Sequence, residues 1–258
     1  MLCRRVAIGA ALMMSAAAGL STDAGAAERP LKVFICAGQS NMVGTRAKAA
    51  QLPAELKAAQ RNALFWDGKA WITLAPGKTE RKGFGPEISF AHAISAAIRE
   101  PVGIIKHSVG GTDLASQWSP KNRNSLYAAL VRKVKAARKA RPIEIIGFLW
   151  MQGERDSRDK AKAEAYAANL AGLIRAARKD LGAPRMLFVA GRVNPPKGVY
   201  KYVGLVRKAQ ETCAEPGYAF IDCDTLSKGA DNLHYDTRGL VEMGKRFAAA
   251  IIKLATGK

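Results

Sequence analysis

The sequence predicts a three-layer α/β sandwich, built on a five-stranded, mostly parallel sheet with helices on both faces. Three observations predict it. Five short apolar, β-branched runs are separated by stretches of helical periodicity, an alternation that calls for a parallel sheet covered on both sides. Glycines and polar residues cluster just after several of those runs, at the strand ends where open α/β sheets gather their chemistry. No internal repeat, low-complexity segment or linker divides the 258 residues, which are enough for one well-buried domain and short for two.

The first 26 residues stand apart as an export signal. Arg4 and Arg5 form a positive start, Val6 to Leu20 is an almost uncharged run, and Ala24-Gly25-Ala26 fits the small-x-small cleavage rule. That run is short and Ala/Gly-rich for a membrane span, which leaves an uncleaved N-terminal anchor as the alternative. Cys3 precedes the apolar run, so it is not placed as a lipoprotein cysteine. The expected product is a single domain over residues 27–258, periplasmic or secreted from a bacterial cell, with no membrane span after cleavage.

The strands and helices then follow. Leu31 to Ala37, ended by Gly38, reads as a buried strand. Residues 63–74 form two aromatic runs around Asp67-Gly68, a hairpin signal. Pro86 and Glu87 open a helix whose apolar positions are Ile88, Phe90, Ala91, Ile94 and Ile98, with His92 as a packing histidine among them. Further strands are predicted at Gly103–Lys106, Ile143–Met151, Met186–Ala190 and Tyr218–Cys223. Helices are predicted at Leu126–Arg141, about Lys160–Leu181, about Tyr200–Thr212 and Thr237–Leu254.

Composition narrows the function classes. With 48% hydrophobic and 24% charged residues, the chain is neither disordered, nor collagen-like, nor a multi-span membrane protein. Its formal charge of +20 predicts attraction to anionic polymers or a cell surface. The basic residues mostly decorate helices, as in Arg132, Lys133, Lys135, Arg138 and Lys139, and no aromatics interleave with them. They read as solvated faces, with no specific nucleic-acid partner. No HExxH motif and no cysteine pair of zinc spacing with a nearby histidine occurs, so no metal is expected. Past Cys3 the cysteines are Cys36, a small core residue in the first strand, and Cys213 and Cys223, which flank the Glu215-Pro216-Gly217 turn and are candidates for a bridge.

A nucleophilic hydroxyl needs a base, and the base usually needs an orienting carboxylate. Ser40 follows the first strand and a glycine, where a tight turn lifts its hydroxyl above the sheet edge; the same position suits a helix N-cap. Of three histidines, His107 sits at a strand end and His234 lies in a loop with Asp231 three residues before it. Gly111 offers a backbone N–H, and Gln152 a side-chain amide, for a developing oxyanion. The motif around Ser40 lacks the second glycine of a GxSxG elbow, which argues against an ordinary α/β-hydrolase.

The set GQSNM at residues 38–42, GGT at 110–112, WMQGE at 150–154 and DxxH at 231–234 resembles the SGNH-hydrolase superfamily, in its sialate O-acetylesterase-like and carbohydrate esterase family 6 branch. The resemblance runs over nearly the whole chain from Leu31. It implies a flavodoxin-like sandwich and cofactor-free hydrolysis of acetyl esters on carbohydrates. By position it makes Ser40 the nucleophile, His234 the base and Asp231 its acidic partner. The oxyanion hole falls to Ser40, Gly111 and Gln152, with Gln152 standing where many relatives have asparagine. Asn41 and Glu154 become auxiliary candidates, and Arg155 replaces a more usual serine. Trp118 is either a shelf on which the sugar stacks or a core aromatic. The other readings are a carbohydrate or cell-envelope binder that has kept the fold, and a lipase or thioesterase on the same scaffold.

Overall fold

The computed structural model describes residues 29–257 except residue 197, so the export segment predicted over residues 1–26 lies outside the described residues. In chain order the elements are β1 (Leu31–Gly38), α1 (Ser40–Val43), α2 (Ala54–Lys57), β2 (Gln60–Trp66), β3 (Trp71–Leu74), α3 (Glu87–Ile98) and β4 (Val102–Ser108). There follow α4 (Leu126–Ala140), β5 (Ile143–Met151), α5 (Lys160–Glu164), α6 (Tyr166–Asp180), β6 (Leu187–Gly191), α7 (Val203–Glu211), β7 (Tyr218–Ile221) and α8 (Thr237–Thr256).

They build one sheet in the order β3-β2-β4-β1-β5-β6-β7, parallel throughout except for β3. β1 lies at its centre, which explains its unbroken apolar run: Val33, Phe34, Ile35 and Cys36 are all buried, so both faces of the strand are covered. α3 and α8 pack together on one face, where Phe34 meets Phe90 edge-on at 5.0 Å and Gly147 leaves room for Ile251. α4 and α6 cover the other face, tied by Tyr127 Oη donating to Asp180 at 2.7 Å and Arg138 donating to the Leu181 carbonyl at 2.8 Å.

The sheet has seven strands rather than five, because the predicted hairpin extends it. β2 runs parallel to β4 through Ala63, Leu64 and Phe65, and β3 closes the edge antiparallel to β2. Phe65, Trp66 and Leu74 are buried there: α3 packs against β2, and the Trp71 indole of β3 donates to the Ala137 carbonyl of α4. The helix predicted from Lys160 to Leu181 is two helices that meet at Ala165. His92 is exposed, because Ile88, Ala91 and Ile94 take the inward face of α3 and turn His92 outward. Cys213 and Cys223 are free thiols: β7 stands between them, and Cys223 Sγ faces the core near Gly191.

One buried ion pair holds the region behind the site. Lys106 of β4 and Glu87 of α3 are fully buried and meet at 2.8 Å. Glu87 also accepts the Gly85 N–H, and Lys106 also donates to the carbonyl of Val43, the last residue of α1. Their polar atoms are thus satisfied within the fold, and removing one partner alone would strand a buried charge at about 3–5 kcal/mol.

Candidate active site

Strand β1 runs up against β5 and the chain must leave the sheet there. Gly38 sits at φ +144°, where a Cβ would fall 2.1 Å from the Met151 carbonyl oxygen, so glycine is required. Gln39 N–H then bonds that same carbonyl at 2.9 Å, and α1 starts at once with Ser40 as its first residue. The backbone N–H of Ser40 has no intrahelical acceptor, as for any first-turn residue. Gly44 ends the turn at φ +89°, with its N–H on the Ser40 carbonyl.

The opposite wall is the loop before α8. Asp231 organises it: Oδ1 accepts the backbone N–H groups of Leu233 at 3.1 Å and His234 at 2.9 Å, while Oδ2 lies 2.9 Å from His234 Nδ1. Arg46, from beyond α1, adds Nε at 3.0 Å to the same Oδ2. Burial pushes this carboxyl up, but the bonds from the His234 ring and backbone, from Leu233 and from Arg46 outweigh it and hold Asp231 well below the usual carboxylate range. It is an anion at working pH, fixed against one nitrogen of the imidazole. The other ring nitrogen is left for the cleft.

Asn41, next to Ser40, clamps the two walls together. Its Oδ1 accepts the Tyr235 N–H at 3.1 Å, and its Nδ2 donates to the Leu233 carbonyl at 3.3 Å and to Glu154 Oε1 at 2.8 Å. The chain is therefore gripped on both sides of His234 by the residue that follows Ser40. Between the walls lies a cleft of about 380 Å³. Ser40, Gly111, Glu154 and His234 all line it, with Asp231 behind His234. Gly110 is also on the cleft, and a Cβ there would meet Ser40 Cβ at 3.7 Å. A larger hollow of about 500 Å³ lies at the other end of the sheet near Pro30, Ile143 and Leu187, and no serine, cysteine or histidine lines it.

Two expected site residues are elsewhere. Gln152 is fully buried, and its Nε2 donates to the Thr112 carbonyl at 2.9 Å and to Asp156 Oδ2 at 2.6 Å. Both amide hydrogens are engaged, so Gln152 does not line the cleft as an oxyanion donor; it braces the loop that carries Gly110 and Gly111. Asp156 completes that brace by accepting the N–H groups of Leu114 and Ala115. Trp118 is 0% exposed, donates its indole N–H to Thr112 Oγ1 at 3.0 Å and packs edge-on against Trp150, so it is a core aromatic and no shelf. The aromatic that does line the cleft is Tyr200, with the Arg158 guanidinium over its ring at 6.0 Å.

Glu154 is buried, with Oε1 taken by Asn41 and Oε2 without a hydrogen-bond partner. Burial pushes its carboxyl up, against the lowering from its own backbone N–H and from Asn41. His107 lies 3.9 Å from Glu80 and edge-on to Trp118, and its Nε2 is buried without a partner. Burial and the neighbouring Lys133 lower its pKa and so favour the neutral ring.

Sequence spacing gave no sign of Arg46, Arg81, Arg158 or Tyr200, which reach the site from four separate segments. Arg81 carries a backbone signal, since it stands at φ 57°, ψ 28° and is followed by Lys82 at φ 53°. Left-handed conformations cost about 1–2 kcal/mol for residues with a Cβ, so neighbouring bonds must hold this turn. Among the described residues, no three His, Cys, Asp or Glu side chains converge as metal ligands.

Comparison with known proteins bears on the family and the fold. The family model SASA, described as carbohydrate esterase, sialic acid-specific acetylesterase, matches residues 30–253. The Arabidopsis thaliana protein named Probable carbohydrate esterase At4g34215 is 27% identical over 250 residues, which cover 86% of this chain and 91% of that protein. The X-ray structure of the Arabidopsis thaliana protein AT4G34215 superposes with a TM-score of 0.76 at 26% identity, covering 87% of this chain and 98% of the other. XAC1771, a carbohydrate acetylesterase from Xanthomonas citri, aligns with a TM-score of 0.66 at 22% identity, covering 88% of this chain and 57% of its own. NanS aligns with a TM-score of 0.67 at 15% identity, covering 90% and 100%. At the identities of these last two the likeness is one of fold.

Proposed function

We propose that Ser40, His234 and Asp231 carry out acyl transfer in this chain, which belongs to the SASA family of carbohydrate esterases, the sialic acid-specific acetylesterases. It is a carboxylic ester hydrolase of the acetylesterase kind. The substrate in this reading is an O-acetylated carbohydrate of the acetylxylan or sialate type, met in the periplasm or outside the cell, where the export signal read in residues 1–26 would deliver the enzyme.

One observation carries the reading: Ser40 and His234 line the same cleft, and Asp231 is bonded to the far side of the imidazole. With Nδ1–H directed at Asp231, the free Nε2 accepts the Ser40 proton as Oγ bonds the acetyl carbon. The oxyanion meets the N–H groups of Ser40 and Gly111, each worth about 3 kcal/mol of barrier. His234 returns the proton to the departing sugar hydroxyl, leaving an acetyl-serine. It then takes a proton from water, whose oxygen attacks the acetyl carbon, and gives it back to Ser40 as acetate leaves. Asp231 remains ionised throughout and stabilises the imidazolium, and Arg46 keeps its Oδ2 in place.

Replacing Ser40 by alanine tests this directly. Hydrolysis of p-nitrophenyl acetate should fall at least about 10³-fold, and an organophosphate probe should label the wild-type serine but not the variant. A variant that keeps a near wild-type rate removes Ser40 from the mechanism.

A further inference from the structure

Net charge alone would draw polyanions to any part of this protein, but the charge is not spread evenly. Helix α4 carries five cations between Arg132 and Lys139 and no acid anywhere in its 15 residues. Its apolar side, with Tyr127, Leu130, Val134 and Ala137, is buried. Arg132, Lys135 and Lys139 are exposed and stand at i, i+3 and i+7, so they form one outward stripe. Like charges at that spacing repel and weaken a helix. Other helices set an acid against a cation one turn away, as in Lys160 with Glu164 of α5 and Glu242 with Arg246 of α8. Within α4 only Lys133 is neutralised, by Glu80 at 3.1 Å.

The surroundings of α4 extend the stripe. Arg123, from the loop before it, lines the same shallow hollow as Lys135, with Asp180 as the acid there. Arg185 lines the hollow at the far end of the sheet beside Arg138, with Glu144 as the acid. The opposite face differs. There α8 spreads four cations over the 16 residues from Arg238 to Lys253, with Glu242 among them.

What the α4 face lacks says what it fits. No exposed aromatic stands among its cations, so bases have nothing to stack on. Among the described residues the exposed large hydrophobics are Val199, Leu205 and Phe220, all outside α4 and α6, so the face offers no apolar anchor. Its cations project from the outer side of a helix about 22 Å long. That arrangement meets a plane of many anionic headgroups at once.

We infer that α4 is an electrostatic docking surface for an anionic phospholipid bilayer, on which the protein lies with its α4–α6 flank down. Helices that cover a parallel sheet run alongside its strands, so the cleft at the strand ends stays open to one side. The inference does not depend on the chemistry at Ser40.

Vesicle co-sedimentation of the full chain tests it, with neutral phosphatidylcholine vesicles and with vesicles in which roughly a third of the lipid is phosphatidylglycerol. One variant reverses the stripe, Arg132→Glu/Lys135→Glu/Lys139→Glu. A second reverses three exposed cations of α8, Arg238→Glu/Lys245→Glu/Lys253→Glu, and so loses the same net charge. The wild type should bind anionic vesicles at least about tenfold more tightly than neutral ones at low salt, and lose that preference toward about 0.5 M salt. The α4 variant should lose about tenfold or more of this affinity, the α8 variant about twofold or less. Arg132→Gln/Lys135→Gln/Lys139→Gln guards against misfolding: it relieves the repulsion, so its urea midpoint should not fall, while its vesicle binding should weaken. Equal losses in the α4 and α8 variants overturn the inference, because net charge alone then accounts for binding. So does a wild type without preference for anionic vesicles, or one that binds duplex DNA more tightly at the same salt, which would make the partner a nucleic acid.

Discussion

His107 and His234 each stand near a carboxylate, 3.9 Å from Glu80 in one case and 2.9 Å from Asp231 in the other. The carboxylate of Glu80 is already occupied by Ser108 and Lys133, and it faces the ring of His107 without a hydrogen bond. The other nitrogen of His107 is buried, and its ring packs on Trp118. Ser108, the nearest serine in sequence, gives its hydroxyl proton to Glu80 and has none to offer a base. Asp231, by contrast, bonds the His234 ring directly and leaves its far side to the cleft that Ser40 lines. A histidine beside an acid is thus only half of a general base; the other half is a second nitrogen facing space that a substrate can enter.

Exchanging the two imidazoles should expose that difference most sharply. His234→Ala should lower kcat on p-nitrophenyl acetate about 10³-fold or more, whereas His107→Gln should keep it within about threefold. Comparable losses in the two variants would put His107 back into the chemistry. A smaller effect is expected from the clamp. Asn41→Ala releases the backbone on both sides of His234 and should reduce kcat by about 10–100-fold, since displacements near 1 Å cost that much. It should also lower stability by about 1–3 kcal/mol, because the buried Glu154 carboxyl loses its bond from Asn41.

The smallest effect is a dependence of stability on pH. His107 is depressed by burial first and Lys133 second, so the unfolded ring binds a proton more readily than the folded one. That penalty is absent above the unfolded value of about 6.5 and grows as pH falls from there toward the folded value. His107→Gln should therefore lose less stability than the wild type between about pH 7 and pH 5, as read by urea midpoints. Parallel curves would show that the ring titrates alike in both states.

Much of the architecture was legible because β1, β4, β5 and β6 are buried over most of their length on both faces, and burial of that kind writes itself as an apolar run; the edge strand β7, where only Ile221 is buried, still reads from its aromatic and β-branched residues. The hairpin was legible too, from Asp67-Gly68, but not its partner, since the pairing of Ala63 with Val102 joins segments whose local patterns say nothing of each other. His92 faces solvent and not the core because a helix of one apolar stripe leaves neighbouring positions outside, and a single histidine does not reveal its side. That Ser40, Gly111 and His234 gather at one cleft, with Asp231 on His234, follows from residue type and position after the strands. What the amide of Gln152 bonds, and which way Trp118 turns, depend on Thr112 and Asp156, contacts that no spacing encodes. Arg46 and Arg81 were invisible for the same reason: their meaning lies in what they meet, or fail to meet, across the fold.

The grip of Asn41 on residues 233 and 235 has a consequence for how the enzyme comes into being. If Ser40 is the nucleophile proposed above, it leaves the ribosome nearly two hundred residues before its proposed base, His234, has been synthesised. On that proposal a growing chain carries an alcohol no more reactive than any other serine, so attack on esters before folding needs no inhibitor to prevent it. On refolding from denaturant, far-UV circular dichroism should recover ahead of hydrolysis, because hydrolysis awaits the meeting of the two chain ends.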